Sequence, residues 1–265
     1  MSTKTYTLQL FALNCLAWTG KSDVKKVVRE LVSRKLVILA KPRLVPLPSG
    51  DLAFVPYEGY ADSLIDMVYK VREVDEESAQ LLDVLGPERT RFQVLTGIKR
   101  PEGTEDWSRA INLLLSFQMY TRRYSEVTAT CVLGADGTPY REKVVQLLLE
   151  IGRVIYRSLK PAYSFVDAAP SFSRLQGEPI LARQLEAICW ANFFGLPYVE
   201  CYGKDFLMKA PAWKAEELED GGVFLQLGPE FTDPAQGVSR EETARYFKPA
   251  GVRYVQWPPA PGDHD

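Results

Sequence analysis

The sequence predicts an α+β fold of short, mostly antiparallel strands with several packed helices. Three observations carry that prediction. Apolar residues recur at helical spacing in some segments and alternate with polar ones in others. The two kinds of segment are mixed without a strict β-α-β rhythm. Glycine and proline punctuate the boundaries between them. Composition agrees: of 265 residues, 46% are hydrophobic and 25% charged, a globular mixture that excludes wholesale disorder.

Taken in order, Thr5, Thr7 and Gln9 alternate with Tyr6, Leu8 and Leu10, which predicts a first strand. Ser22 or Asp23 caps a helix over 24–33, with Val24, Val27, Val28 and Leu31 on one face. A β-rich run over 36–39 follows, and the turn at 49–51 leads into a strand at 52–55. Helices are expected over 60–71 and 75–85, the second stopped by Gly86 and Pro87. A strand over 91–98 precedes a long helix expected over 104–122, where Ile111, Leu114, Leu115, Gln118 and Met119 keep helical spacing. Residues 126–133 alternate and read as a strand. Residues 141–159 give the clearest helix, stopped by Pro161. A strand is expected at 163–166 and a break at 177–179, and 180–189 stays open between helix and strand. Further strands are expected at 197–202, 205–209 and 223–227, with a charged turn over 216–222. Ser239 and Glu242 stand at capping-box spacing before a short helix ending at Phe247. A last edge strand is expected at 252–256. These elements divide into an N-terminal α+β part (1–89), an α+β domain (90–256) and a disordered tail (257–265).

Composition removes whole classes of chemistry. The one histidine, His264, is next to last, so histidine-based triads, general bases and metal sites lack their imidazole. No metal or other cofactor is expected. Cysteines 15, 131, 189 and 201 form no C-x-x-C pair and are expected to be free, buried thiols in a reducing cytoplasm. No glycine-rich phosphate loop and no G-x-S-x-G elbow occurs. The N-terminus makes a poor signal peptide, and no run of about 18 apolar residues spans a membrane. Carboxylates are the remaining acid–base groups. Glu186, Glu200 and Asp205 lie in sequence near Trp190, Phe193 and Phe194, surroundings that raise a pKa.

Three surface features are candidates for binding. Lys25, Lys26 and Arg29 share a helix face in a basic N-terminal cluster, a candidate nucleic-acid contact, although the net charge of −2 argues against bulk nucleic-acid binding. Glu216, Glu217, Glu219 and Asp220 begin an acidic stretch suited to a basic partner. Trp190, Phe193, Phe194, Tyr198 and Tyr202 are too dense for all to point easily inward, and aromatics of this kind anchor interfaces. Aromatics and acids together are the expected partner-binding site.

The order W-A-N-F-F-G-L-P-Y-V (190–199), Y-G-K-D-F-L (202–207), A-P-A-W (210–213) and D-G-G-V-F-L-Q-L (220–227) resembles bacterial polymorphic-toxin immunity proteins. The nearest type is immunity family fifty-two with its type VI relatives. The preceding L-L-E-I-G-R-V-I-Y-R-S-L-K-P-A-Y-S-F (148–165) fits the same pattern, so the resemblance covers roughly residues 90–255 and leaves the first 90 aside. It implies a non-catalytic, cytoplasmic α+β protein that binds and neutralises a cognate toxin. Some members of that family accompany nuclease toxins. Two readings stand beside it: a nucleic-acid-associated accessory protein using the basic helix, and a small carboxylate-dependent enzyme.

Overall fold

The computed structural model describes residues 6–14, 21–44, 52–56, 88–99, 110–120, 124–133, 140–169, 182–185, 187–231 and 233–248. Helices and antiparallel strands are mixed as expected, an α+β fold. The strands are β1 (Tyr6–Asn14), β2 (Ile38–Leu44), β3 (Leu52–Pro56), β4 (Glu88–Lys99), β5 (Ala110–Tyr120), β6 (Tyr124–Leu133), β7 (Tyr163–Ala169), β8 (Ala191–Phe194), β9 (Lys214–Glu217) and β10 (Val223–Gln226). The helices are α1 (Lys21–Ser33), α2 (Arg141–Leu159), α3 (Leu196–Tyr202), α4 (Lys204–Met208) and α5 (Arg240–Phe247). The described strands follow one another in the order β3-β2-β4-β5-β6-β1-β7-β8-β10-β9, and all neighbours run antiparallel. Strand β1 lies between β6 and β7, so the N-terminal strand shares the sheet of the later ones.

Alternation along each strand assigns the two faces. Leu8, Leu10 and Ala12 of β1 and Val127, Ala129 and Cys131 of β6 are buried on one face, beneath α2. The backbone of α2 comes close there: a Cβ added to Gly152 would lie 3.1 Å from Leu10 Cδ1 and 3.4 Å from Phe193. Helix α1 packs on α2 through Val24, Val27, Val28 and Leu31, all fully buried. On the opposite face α3 and α5 cover β7 and β8, where Phe194 meets Tyr163, Tyr198 and Phe247. Strands β8 and β10 are therefore buried on both faces.

Three expectations are corrected. Residues 110–120 form β5 and no helix. Positions 111, 113, 115, 117 and 119 are all apolar, and Leu113, Leu115 and Phe117 are buried, so the period of two prevails once β4 and β6 pair on either side. The strands expected at 197–202 and 205–209 are instead the helices α3 and α4. Pro197 sits in the first turn of α3, where its fixed φ suits a helix, and Gly203 at φ 85° ends it. Tyr198, Tyr202 and Phe206, four residues apart, stack in succession at 5.9 and 6.4 Å. Cys201 is free but exposed, whereas Cys131 and Cys189 are free and buried. The Ser239 cap forms as expected, its Oγ accepting from Glu242 N at 3.1 Å. The elements expected at 60–71, 75–85, 177–179 and 252–256, the tail, Cys15 and Glu186 lie outside the described residues.

Candidate partner-binding site

The site begins with a tight hairpin. Leu218 N donates to Gly222 O at 2.8 Å, and Gly221 N to Leu218 O at 2.9 Å. Gly221 has φ 88°, the left-handed position of a three-residue loop closed by a bulge. Asp220 holds this turn against α2. Its Oδ1 accepts from Gly222 N and from the Tyr156 hydroxyl, each at 3.1 Å. Only glycine fits at 222, because a Cβ there would lie 2.0 Å from the Tyr156 hydroxyl oxygen and 2.8 Å from Phe194 O. Burial, reinforced by the Asp220 charge, pushes the Tyr156 hydroxyl well above the usual tyrosine range, so it stays a donor.

Behind the turn, Arg153 of α2 reaches across to β9 and β10. Its Nη1 donates to Glu216 Oε1 at 2.6 Å, and its guanidinium lies 4.5 Å from the Phe224 ring centroid. Lys214 bonds the other Glu216 oxygen, and Lys204 bonds Glu217. Between α2 and the hairpin lies a cleft of about 530 Å³. Arg34, Arg153, Arg157 and Lys160 line it together with Glu150, Glu216, Glu217, Glu219 and Asp220, around Tyr156, Phe193 and Leu218. Arg34 and Arg157 are turned toward Glu30, at 3.0 and 3.8 Å. Glu150 and Glu219 are exposed, and neither pairs with any described residue.

All four expected acids thus meet at one cleft, but the aromatics do not join them as a surface. Trp190, Phe193, Phe194 and Tyr198 are buried, which corrects their assignment as interface anchors. Because β8 has a helical layer on each side, Phe193 faces α2 while Phe194 faces α3 and α5, so both directions lead inward. Tyr202 is half-buried, and its hydroxyl donates to Arg183 O at 3.0 Å. Glu200 and Asp205 are exposed on α3 and α4, not enclosed by the aromatics. Lys25, Lys26 and Arg29 stand on α1; Lys26 Nζ donates to Ser158 O at 3.5 Å, and Lys25 and Arg29 have interactions of their own. Sequence reasoning missed Glu150, Arg153, Tyr156 and Arg157. They lie on α2 at spacings of three and four; Glu150, Arg153 and Arg157 stand on the side left by its apolar stripe, which was the available signal, whereas Tyr156 is buried with the stripe.

The titration of the cleft differs from that of a general acid. Burial alone would raise the pKa of Glu216. The hydrogen bonds and charges of Lys214 and Arg153 outweigh it and hold Glu216 below the usual carboxylate range. A general acid needs the opposite shift. Because the folded pKa is depressed, the stabilisation from Glu216 is complete above the unfolded carboxylate range and is lost as pH falls through the folded value. Urea titrations of the parent and Glu216→Gln are expected to differ most near neutral pH, with the gap closing in acid. A gap that widens in acid reverses the sign and refutes the assignment. The Cys189 thiol is pushed up by burial and then by the Asp167 charge, which suits an inert core group. Among the described residues no three acidic, cysteine or histidine side chains converge as a metal site. No described helix is long and apolar enough to cross a membrane.

No family model matches the chain, and no curated protein matches it in sequence. Solved structures are similar to it, these two among them. One is a T6SS protein of Pseudomonas aeruginosa, 11% identical, covering 95% of this chain and 74% of its own, with TM-score 0.49. Another is a chain from the complex of the toxic C-terminal tip of CdiA from Pseudomonas aeruginosa with immune protein. It is 14% identical, covers 63% of this chain and 89% of its own, and has TM-score 0.32.

Proposed function

We propose that the protein is a non-catalytic, cytoplasmic binding protein that neutralises a cognate bacterial toxin by direct contact, as the resemblance to polymorphic-toxin immunity proteins implies. The observation that supports it best is the charged cleft between α2 and the β9–β10 hairpin. Its fixed charges, Arg153, Glu216, Glu217 and Asp220, are spent on holding the cleft together. Glu150 and Glu219 on its lining are left for a partner. Such carboxylates speed capture of a basic protein more than they deepen the final complex.

The test is co-expression with the product of the neighbouring gene. The expected result is a complex that survives size exclusion, together with rescue of growth from that product's toxicity. Absence of both the complex and the rescue would overturn the proposal. Reversing Glu150→Lys and Glu219→Lys together is expected to slow association about tenfold at low salt and far less at high salt, since exposed charges are screened beyond about 10 Å at 0.1 M. Stopped-flow association rates at two ionic strengths check this. A rate that ignores the substitutions places the contact away from the cleft.

A further inference from the structure

The hairpin that forms the cleft also ends the sheet: among the described residues β9 has β10 on one side and no strand on the other. We propose that this free edge accepts an extended, basic segment of a partner protein as an additional strand, and the inference names the binding mode for the partner proposed above. Its geometry follows from the hairpin register. Leu218 and Gly222 are joined by the Leu218 N–Gly222 O bond, and Glu217, Glu216, Ala215 and Lys214 then pair with Val223, Phe224, Leu225 and Gln226. Hydrogen-bonded and non-hydrogen-bonded pairs alternate in an antiparallel ladder. Glu216 and Lys214 therefore bond to β10, and the peptide N–H and C=O of Ala215 and Glu217 point out from the sheet. Those outward groups, two residues apart, are what an incoming strand pairs with.

The flanks identify the occupant. Trp213, immediately before β9, is 48% exposed, a large apolar side chain at the surface. It gives an apolar contact at one end of a short edge. Residues 214–220 carry one lysine against Glu216, Glu217, Glu219 and Asp220; Glu216 and Glu217 are matched by Arg153, Lys214 and Lys204, so Glu219 and Asp220 leave the segment net negative. Two copies of this edge would set one acidic segment against another, and like charges across a strand pair are unfavourable. A segment alternating lysine or arginine with apolar residues meets the same edge with opposite charge.

The experiment uses the full chain and a synthetic ten-residue peptide alternating lysine and valine, with a glutamate-for-lysine peptide as control. In amide NMR spectra the basic peptide is expected to shift the Ala215 and Glu217 amides and the Trp213 indole N–H saturably, and the acidic peptide is not. Ala215→Pro removes one outward N–H without breaking the ladder to β10, a position where sheets tolerate proline. It is expected to weaken the peptide at least tenfold. Trp213→Ala, at an exposed position, is expected to do the same with an unchanged melting temperature. Shifts that map elsewhere, peptide binding by both variants as tight as by the parent, or a dimer of the chain built through β9 overturn the proposal. If the toxin complex forms while the peptide test fails, the toxin-binding reading stands and only its mode falls.

Discussion

Replacing Arg240 by alanine is expected to lower stability by roughly 3–5 kcal/mol, the cost of breaking a buried ion pair from one side. Asp167 is fully buried at the end of β7, and its two oxygens collect four donors. Ala168 N and Trp190 N reach it at 2.6 and 2.8 Å, and Arg240 binds it through Nη1 at 2.5 Å and Nη2 at 2.8 Å. One carboxylate thus ties β7 to the chain entering β8 and to the first turn of α5. Burial works against the Arg240 charge, but Asp167 outweighs it and holds the guanidinium protonated. The two partners are not equivalent. The Arg240 side chain keeps 27% of its surface in water, whereas the Asp167 side chain keeps none. Removing the arginine strands a buried charge; removing Asp167 leaves an arginine that reaches solvent and two amides without their acceptor. Arg240→Ala is therefore expected to cost more than Asp167→Ala. A double-mutant cycle measured by urea denaturation checks this, because residues in direct contact couple strongly. Equal single costs with no coupling would show that α5 is held by its apolar contacts alone.

What the sequence disclosed depended on how local the deciding contacts are. Helix α2 was legible because its stripe is long and Pro161 ends it, and the α5 cap because the Ser239 hydroxyl accepts from the Glu242 amide within one turn. Strand β5 was not, because Ile111, Leu115 and Met119 fit a period of 3.6 as well as a period of two, and only pairing with β4 and β6 decides between them. The acidic half of the cleft showed as a charge run over 216–220. Its other half did not, since the Arg153–Glu216 and Tyr156–Asp220 bonds join residues 63 and 64 apart. The aromatic stretch misled for a related reason. Dense aromatics look like a surface only if one side of the strand faces water, and β8 has a helical layer on both.

That burial turns the expected interface into a stability prediction. Phe193→Ala is expected to cost about 3–5 kcal/mol, the range for removing a buried aromatic ring and leaving a cavity. The ring lies 4.7 Å from Phe224 and 5.7 Å from Tyr156, centroid to centroid, and beneath Gly152, where α2 comes nearest the sheet. Collapse is hindered because Tyr156 is held outward by Asp220 and Phe224 is covered by Arg153. The cavity therefore persists, and the cost should sit toward the upper end of that range. The urea midpoint is expected to fall with little change in slope, since the surface exposed on unfolding is nearly the same. Glu150→Lys with Glu219→Lys gives the opposite pattern: an unchanged midpoint and slower capture of a basic partner. If Phe193→Ala kept the midpoint and lost partner binding, Phe193 would act at an interface after all, and the arrangement of β8 between two helical layers would be wrong.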